Sequence, residues 1–196
     1  MYKKVLTACA GFVVLLLVSG MAFAGVPCAG TTTVTATGDD VCAPGAAVCP
    51  GGDLHNVIVT VTVRDCYGAP LSGLMVDVSP GPTGPPPDFC FCDSVKTVGP
   101  TDVTGTTSAT YSRFGGCGSL QFYATIGTVV AGPSPAITIG SPDNNGDCQV
   151  DLIDFGNFAV QYFTANTCSD YNCDGIVDLI DFGIFAVHYF HSCINP

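Results

Sequence analysis

Glutamate is missing from this chain: all sixteen acidic residues are aspartate. Basic residues are nearly missing too. Lys and Arg number five in all, only Arg64, Lys96 and Arg113 lie beyond the N-terminal Lys3 and Lys4, and the formal net charge is -11. Nucleic acid and anionic membrane surfaces are excluded as partners, because almost nothing is present to neutralise phosphate. Apolar runs of the roughly 20 residues that a bilayer span requires are also lacking. The one apolar run, Gly11 to Val18, follows Lys3 and Lys4 and leads to Ala22-Phe23-Ala24, a small-x-small cleavage signature. Residues 1–24 therefore read as a secretory signal peptide. Cys9 precedes the apolar run, so Leu6-Thr7-Ala8-Cys9 is no lipoprotein box. The mature chain, starting near Gly25, is expected to be secreted, extracellular or at the cell surface, without membrane insertion.

Paired C-x-x-C knuckles are absent as well, which argues against a zinc ribbon at Cys90-Phe91-Cys92 or at Cys42 and Cys49. Eleven of the twelve cysteines lie beyond the leader, seven between Cys28 and Cys117 and four between Cys148 and Cys193. In an exported chain that usage points to disulfides. If Cys148, Cys168, Cys173 and Cys193 close among themselves, three pairings are open. The odd cysteine then belongs to the first domain.

What is present first is alternation. Thr31 to Thr37 reads TTTVTAT, and Val57 to Val63 reads VIVTVTV with Val57, Val59, Val61 and Val63 on one face; both are period-two strands. Further β-like runs are Leu74 to Ser79, Ser108 to Tyr111, Leu120 to Ile126 and Ala136 to Ile139, separated by Gly, Pro and Asp clusters. Short strands with turn signals between them predict an antiparallel sandwich over 25–140. The stretch from Ser79 to Asp88, SPGPTGPPPD, keeps no Gly-X-Y period and reads as a long loop.

Within this region VTVRDCYGAPLSGLMVDVS, TDVTGTTSATYS and GGCGSLQFYATIG resemble the invasin/intimin group of bacterial Ig-like domains, over roughly Val57 to Ile139. The likeness rests on a Tyr67-Gly68-Ala69-Pro70 turn and an Asp102-x-x-Gly105 turn, each between strands. Gly68 and Gly105 suit the positive φ of such turns. The resemblance implies an Ig-like fold that serves as a spacer or adhesin stalk. It names no ligand.

After Gly140-Ser141-Pro142 the sequence repeats itself. DNNGDCQVDLIDFGNFAVQYF from Asp143 and DYNCDGIVDLIDFGIFAVHYF from Asp170 agree at fifteen of twenty-one positions, 27 residues apart. A calcium loop draws oxygens from positions 1, 3, 5, 7, 9 and 12, which converge on an ion at about 2.3–2.6 Å. The first copy offers Asp143, Asn145, Asp147, the carbonyl of Gln149, Asp151 and Asp154; the second offers Asp170, Asn172, Asp174, the carbonyl of Ile176, Asp178 and Asp181. Two Ca2+ sites are expected, the second more secure because Gly175 holds position 6 where the first loop has Cys148. A left-handed non-glycine residue there costs about 1–2 kcal/mol, which a disulfide could hold. No Lys or Arg follows Arg113, so eight Asp in this module lack a basic partner, and their repulsion favours a bound cation.

Each loop leads into a helical stripe, Phe155, Phe158, Ala159, Tyr162, Phe163 and then Phe182, Phe185, Ala186, Tyr189, Phe190. The stripe is expected to form core, with His188 and His191 as exposed late-helix residues. Loop-then-helix repeated, with Asp at position 12 and no helix before either loop, resembles a type I dockerin. This predicts a small α-helical dockerin-like module of two half EF-hands over 141–196. The resemblance implies that the two halves pack together, bind calcium and dock onto a cohesin-like domain. The residues at positions 10, 11, 17 and 18, which in that family read the partner, are here apolar: Leu152, Ile153, Ala159 and Val160, then Leu179, Ile180, Ala186 and Val187. Near identity of the copies suggests a pseudo-twofold surface able to dock in two orientations.

The function expected is a secreted calcium-binding attachment module that links an Ig-like domain to a cohesin-like or other extracellular protein, with carbohydrate reached only indirectly. The alternative is a structural adhesin-like stalk, capped by the calcium module without a partner in trans. Enzyme chemistry is not expected. A glycosidase needs an acid–base pair of carboxylates, and the Asp residues before Asp143, namely Asp39, Asp40, Asp53, Asp65, Asp77, Asp88, Asp93 and Asp102, fall mostly in turn-like contexts.

Overall fold

The structure, a computed structural model, describes residues 25–39, 41–43, 45–81 and 84–194. The leader expected over 1–24 lies outside them. The described strands are β1 (Thr33–Gly38), β2 (Ala46–Ala47), β3 (Val57–Thr62), β4 (Val76–Pro80), β5 (Phe89–Phe91), β6 (Lys96–Val98), β7 (Thr106–Tyr111), β8 (Phe114–Gly116), β9 (Gly118–Leu120), β10 (Phe122–Ile126), β11 (Val129–Ala131) and β12 (Ile137–Gly140). Two helices follow, α1 (Leu152–Gln161) and α2 (Leu179–Val187). No described helix is long and apolar enough to cross a membrane.

The alternation in Val57 to Val63 does what its period demands. Val57, Val59, Val61 and Val63 are fully buried, and β3 sits at the centre of an antiparallel sheet ordered β1-β3-β7. A second antiparallel sheet, ordered β11-β10-β4-β6, contributes Val76, Val78, Phe122, Ala124 and Ile126 to the same core. Tyr111 is buried between them, its hydroxyl donating to the Val78 carbonyl at 2.7 Å, which removes the cost of an unpaired buried polar group. The protein is thus mainly β with two short helices, built on antiparallel sheets.

Both turns behave as expected. Gly68 and Gly105 have φ of 84° and 79°, and Asp65 and Asp102 each accept two backbone N–H bonds across their turn. Of the loop expected from Ser79 to Asp88, Ser79 and Pro80 belong to β4, where they pair with β10, and the rest carries no strand among its described residues. Two smaller sheets depart from expectation. Order β2-β12-β9 includes a parallel pair, β2 with β12, and β5 pairs with β8. Strands of two or three residues carry too little alternation to stand out, and β2 is a piece of loop recruited to the free edge of β12.

The cysteines decide how the two halves meet. Cys28–Cys66 lies within the sandwich region, but Cys148, Cys168, Cys173 and Cys193 do not pair among themselves. They bridge instead to Cys90, Cys117, Cys42 and Cys92. The reason is proximity: the segment after Gly140 folds back onto the sandwich, and a second apolar core draws Ala47 and Cys49 together with Val150, Phe158, Tyr171, Val177 and Phe185. The zinc alternative at Cys90, Cys92 and Cys42 is overturned by the same bridges. Cys49 is the odd cysteine, free and buried, on the sandwich side, although the self-closed set from which that placement was expected does not form.

Candidate functional site

The two aspartate loops fold alike, bond for bond. In the first, Asp143 accepts from the N–H of Asp147 and Cys148 at 3.1 and 2.9 Å. In the second, Asp170 accepts from Asp174 and Gly175 at the same distances. Asn145 accepts from Asp147 N–H and Asn172 from Asp174 N–H, while Gln149 and Ile176 donate their N–H to Asp147 and Asp174. At position 12, Asp154 accepts from the N–H of Asn144, Asn145 and Asp151; Asp181 does so from Tyr171, Asn172 and Asp178. The twelve residues singled out for metal binding thus fall into two closed loops of six.

Each loop hands over to its helix by the same device. Asp151 and Asp178 are N-caps whose side chains accept from Ile153 and Ile180 N–H at 2.7 Å, and each completes a capping box with the position-12 Asp. Positions 4 and 6 both take positive φ, as Gly146 (69°) and Cys148 (74°) in the first loop and Cys173 (55°) and Gly175 (96°) in the second. Each loop therefore has one glycine and one cysteine at its two left-handed positions, in swapped order. Both cysteines are tied to the sandwich, Cys148 to Cys90 and Cys173 to Cys42. The strain expected at Cys148 is present, and Cys173 shares it.

Four carboxylates are taken out of water. Asp143, Asp154 and Asp181 are fully buried and Asp170 nearly so. Burial pushes the Asp143 carboxyl up to about 7, with the charge of Asp154 adding to it. Burial likewise raises Asp154 and Asp181 above the usual carboxylate range. No described Lys or Arg pairs with any of them, and the nearby Arg113 guanidinium donates to the carbonyls of Pro50 and Cys193. Buried carboxylates without a counter-charge are costly. An all-oxygen donor set of this kind fits a hard divalent cation.

The helices expose one side and bury the other. Phe158 and Phe185 are buried and stacked at 5.5 Å between ring centroids, with Tyr171 against Phe158. Leu152, Val160, Leu179 and Val187 are 71%, 78%, 70% and 69% exposed, and Ile153, Ala159, Ile180 and Ala186 are exposed beside them. The aromatic stripe divides accordingly. Phe155 and Phe182 meet edge to face at the seam between the helices. Shallow apolar hollows flank them, one lined by Phe158, Ala159 and Tyr162 and the other by Phe185, Ala186 and Tyr189. Phe163 and Phe190, expected in the buried stripe, lie past the helix ends with φ of 62° and 71° and are exposed. Their N–H groups bond instead to the carbonyls of Val177 and Val150, so each helix end is tied to the other loop.

His188 and His191 are not the exposed residues the helical periodicity implies. His188 is buried and His191 half-buried, because α2 ends at Val187 against the segment from Cys49 to Asp53. Burial pushes the His188 imidazole below its usual range and the Cys49 thiol up to about 12. Sequence periodicity carried no signal for this cluster, which joins residues about 140 positions apart. Of the other aspartates, Asp39 holds Asn56 and Asp77 holds the Thr97 hydroxyl.

No family model matches the chain, and no curated protein matches it. Among solved structures it is similar to FdeC, an adhesin of Escherichia coli, at 18% identity and a TM-score of 0.43, over 59% of this chain and 32% of that one. A likeness of that extent carries no inference about function.

Proposed function

We propose that this chain is an extracellular attachment protein in which a dockerin-like pair of loops binds two calcium ions and holds an apolar helix face out toward a cohesin-like or other extracellular protein. The observation that carries this reading is the exposure of Leu152, Ile153, Ala159, Val160 and their counterparts Leu179, Ile180, Ala186 and Val187. So many exposed apolar side chains on two touching helices are uncommon on a protein that meets no partner. Calcium supplies the charge that the buried Asp143, Asp154, Asp170 and Asp181 lack. The disulfides across to the sandwich make the module a rigid mount, so less ordering entropy is lost on docking.

The test is recovery of partners from an extracellular fraction on the immobilised, calcium-loaded chain. A protein released by chelator and absent when all of Leu152, Ile153, Leu179 and Ile180 are changed to Asp is the expected result. Changing either pair alone should weaken capture by no more than a few-fold, because the second copy presents the same face. Complete loss from one pair alone would remove the two-orientation idea, and no chelator-released protein at all would remove the docking reading.

A further prediction separates the loops. A Cβ at Gly115 would fall on the Asp143 carboxylate, so Gly115→Ala is expected to weaken the first calcium site at least ~10-fold, or about 1.4 kcal/mol, and to leave the second unchanged. Calorimetric titration reads this directly. Gly156→Ala, which meets nothing within 4 Å, is the control and should leave both sites intact.

A second reading is favoured by the four bridges between module and sandwich. In it the calcium module is a structural cap that stiffens an adhesin-like stalk and binds nothing in trans. Calcium would then still stabilise the module, while the tetra-substituted protein would behave like the original in every recovery experiment.

A further inference from the structure

Ten of the cysteines among the described residues are in disulfides and Cys49 alone is not. It is fully buried, and three other donors close around it. His191 Nδ1 lies 3.9 Å from its sulfur. His191 Nδ1 and His188 Nδ1 are 3.3 Å apart, and Asp53 Oδ1 is 3.2 Å from the one and 3.3 Å from the other, His188 and His191 respectively. All four ligand atoms lie within 4.8 Å of one another.

The three distances among the N and O donors are those of a coordination shell, and the sulfur, at 3.9 Å from His191 Nδ1, stands a little outside it. Ligands at about 2.0–2.1 Å (N, O) and about 2.3 Å (S) from a tetrahedral ion stand about 3.3 Å apart between N and O donors and about 3.6 Å apart between S and N. Hydrogen bonding alone accounts for the arrangement poorly. Both imidazoles turn the same nitrogen to one carboxylate oxygen, and if both nitrogens carry protons for it, two donors face each other at 3.3 Å. A cation accepts lone pairs from both.

The surroundings are built to match. A Cβ at Gly51 would stand 2.8 Å from His191 Nδ1 and 3.0 Å from Asp53 Oδ1, so this position has no room for a side chain if the donors converge. Two ligands come from the turn Cys49-Pro50-Gly51-Gly52-Asp53, closed by Gly52 N–H to the Cys49 carbonyl. The other two follow the last turn of α2.

We propose that Cys49, Asp53, His188 and His191 bind one divalent transition-metal ion, zinc by preference, in a tetrahedral structural site that pins the end of α2 to the sandwich. Thiolate and imidazole ligands select such an ion over calcium, while the all-oxygen loops select the reverse. The two kinds of site therefore do not compete. Four protein ligands leave no open position, which makes the site structural and not catalytic. On binding, the Cys49 thiol gives up its proton to solvent and its sulfur takes the metal.

The experiment is a Co2+ titration of the full oxidised chain, stripped of transition metals and saturated with Ca2+ so that the loops are out of play. One equivalent should bind with the visible absorption of tetrahedral Co2+ and a thiolate-to-cobalt charge-transfer band, and one equivalent of Zn2+ should abolish both. Cys49→Ser is expected to lose the charge-transfer band, and Cys49→Ser and His191→Asn should each weaken Zn2+ binding by more than the roughly 10–100-fold that loss of an outer partner costs. Circular dichroism checks that each variant folds. No tetrahedral Co2+ spectrum in the unmodified protein, or the same spectrum and affinity in folded Cys49→Ser and His191→Asn, would overturn the proposal.

Discussion

Chelating calcium from the oxidised protein at pH 8 is expected to melt α1 and α2 and leave the sandwich folded, with full recovery when calcium returns. Three fully buried carboxylates and a nearly buried fourth sit in the two loops, and two of them, Asp154 and Asp181, complete the capping boxes at the helix starts. Without a cation, their repulsion is set directly against helix formation. Each site held at 100 times its dissociation constant adds about 2.7 kcal/mol, so two sites contribute a large part of the stability of a small module. The disulfide bridges keep the melted segment against the sandwich, which is why the loss should reverse.

The pH dependence of the calcium-free protein has a definite sign. Asp143, Asp154 and Asp181 have raised carboxyls in the folded state, chiefly through burial, Asp143 to about 7. The folded chain therefore binds more protons than the unfolded one above the ordinary carboxylate value of 3.8. Their contribution is fully present below that value and is lost as pH rises through about 7. Melting of the chelated protein should fall between pH 5 and pH 8, and the gain from calcium should widen over the same range. A melting temperature that is flat or rises with pH in chelator would remove the premise that these carboxylates are buried without a counter-charge.

Phe158→Ala is expected to cost about 3–5 kcal/mol, enough for the module to unfold well before the sandwich. Phe158 is 2% exposed and packs on the rings of Tyr162, Tyr171, Phe182 and Phe185, so its removal leaves a cavity at the centre of the second core. The sandwich core contains none of these rings. Urea unfolding followed by circular dichroism should show two separated transitions in place of one. Phe163→Ala, at an exposed position past the helix end, should stay within about 0.5 kcal/mol. Equal losses for both phenylalanines would mean that the stripe packs differently.

Much of this was legible in local sequence. The period-two valines of β3, the two aspartate-glycine turns, the 27-residue repeat and the start of each helix all depend on neighbours a few residues apart, and local sterics and hydrogen bonding decide them. Helix ends were less legible: Tyr162, Phe163, Tyr189 and Phe190 continue the apolar spacing, yet the backbone leaves the helix because Phe163 and Phe190 bond to the opposite loop.

The sequence by itself determined which oxygens line the loops, which residues face the β core and which residue pairs stand exposed at the start of each helix. Only the tertiary structure decided that Cys148, Cys168, Cys173 and Cys193 bridge to the sandwich and do not close on themselves, and that Cys49 and Asp53 meet His188 and His191. Repeat, alternation and capping are written in the spacing of adjacent residues. The partner of a cysteine or a histidine depends on which distant segment the chain brings to it, and that follows from the packing of the second core on the first.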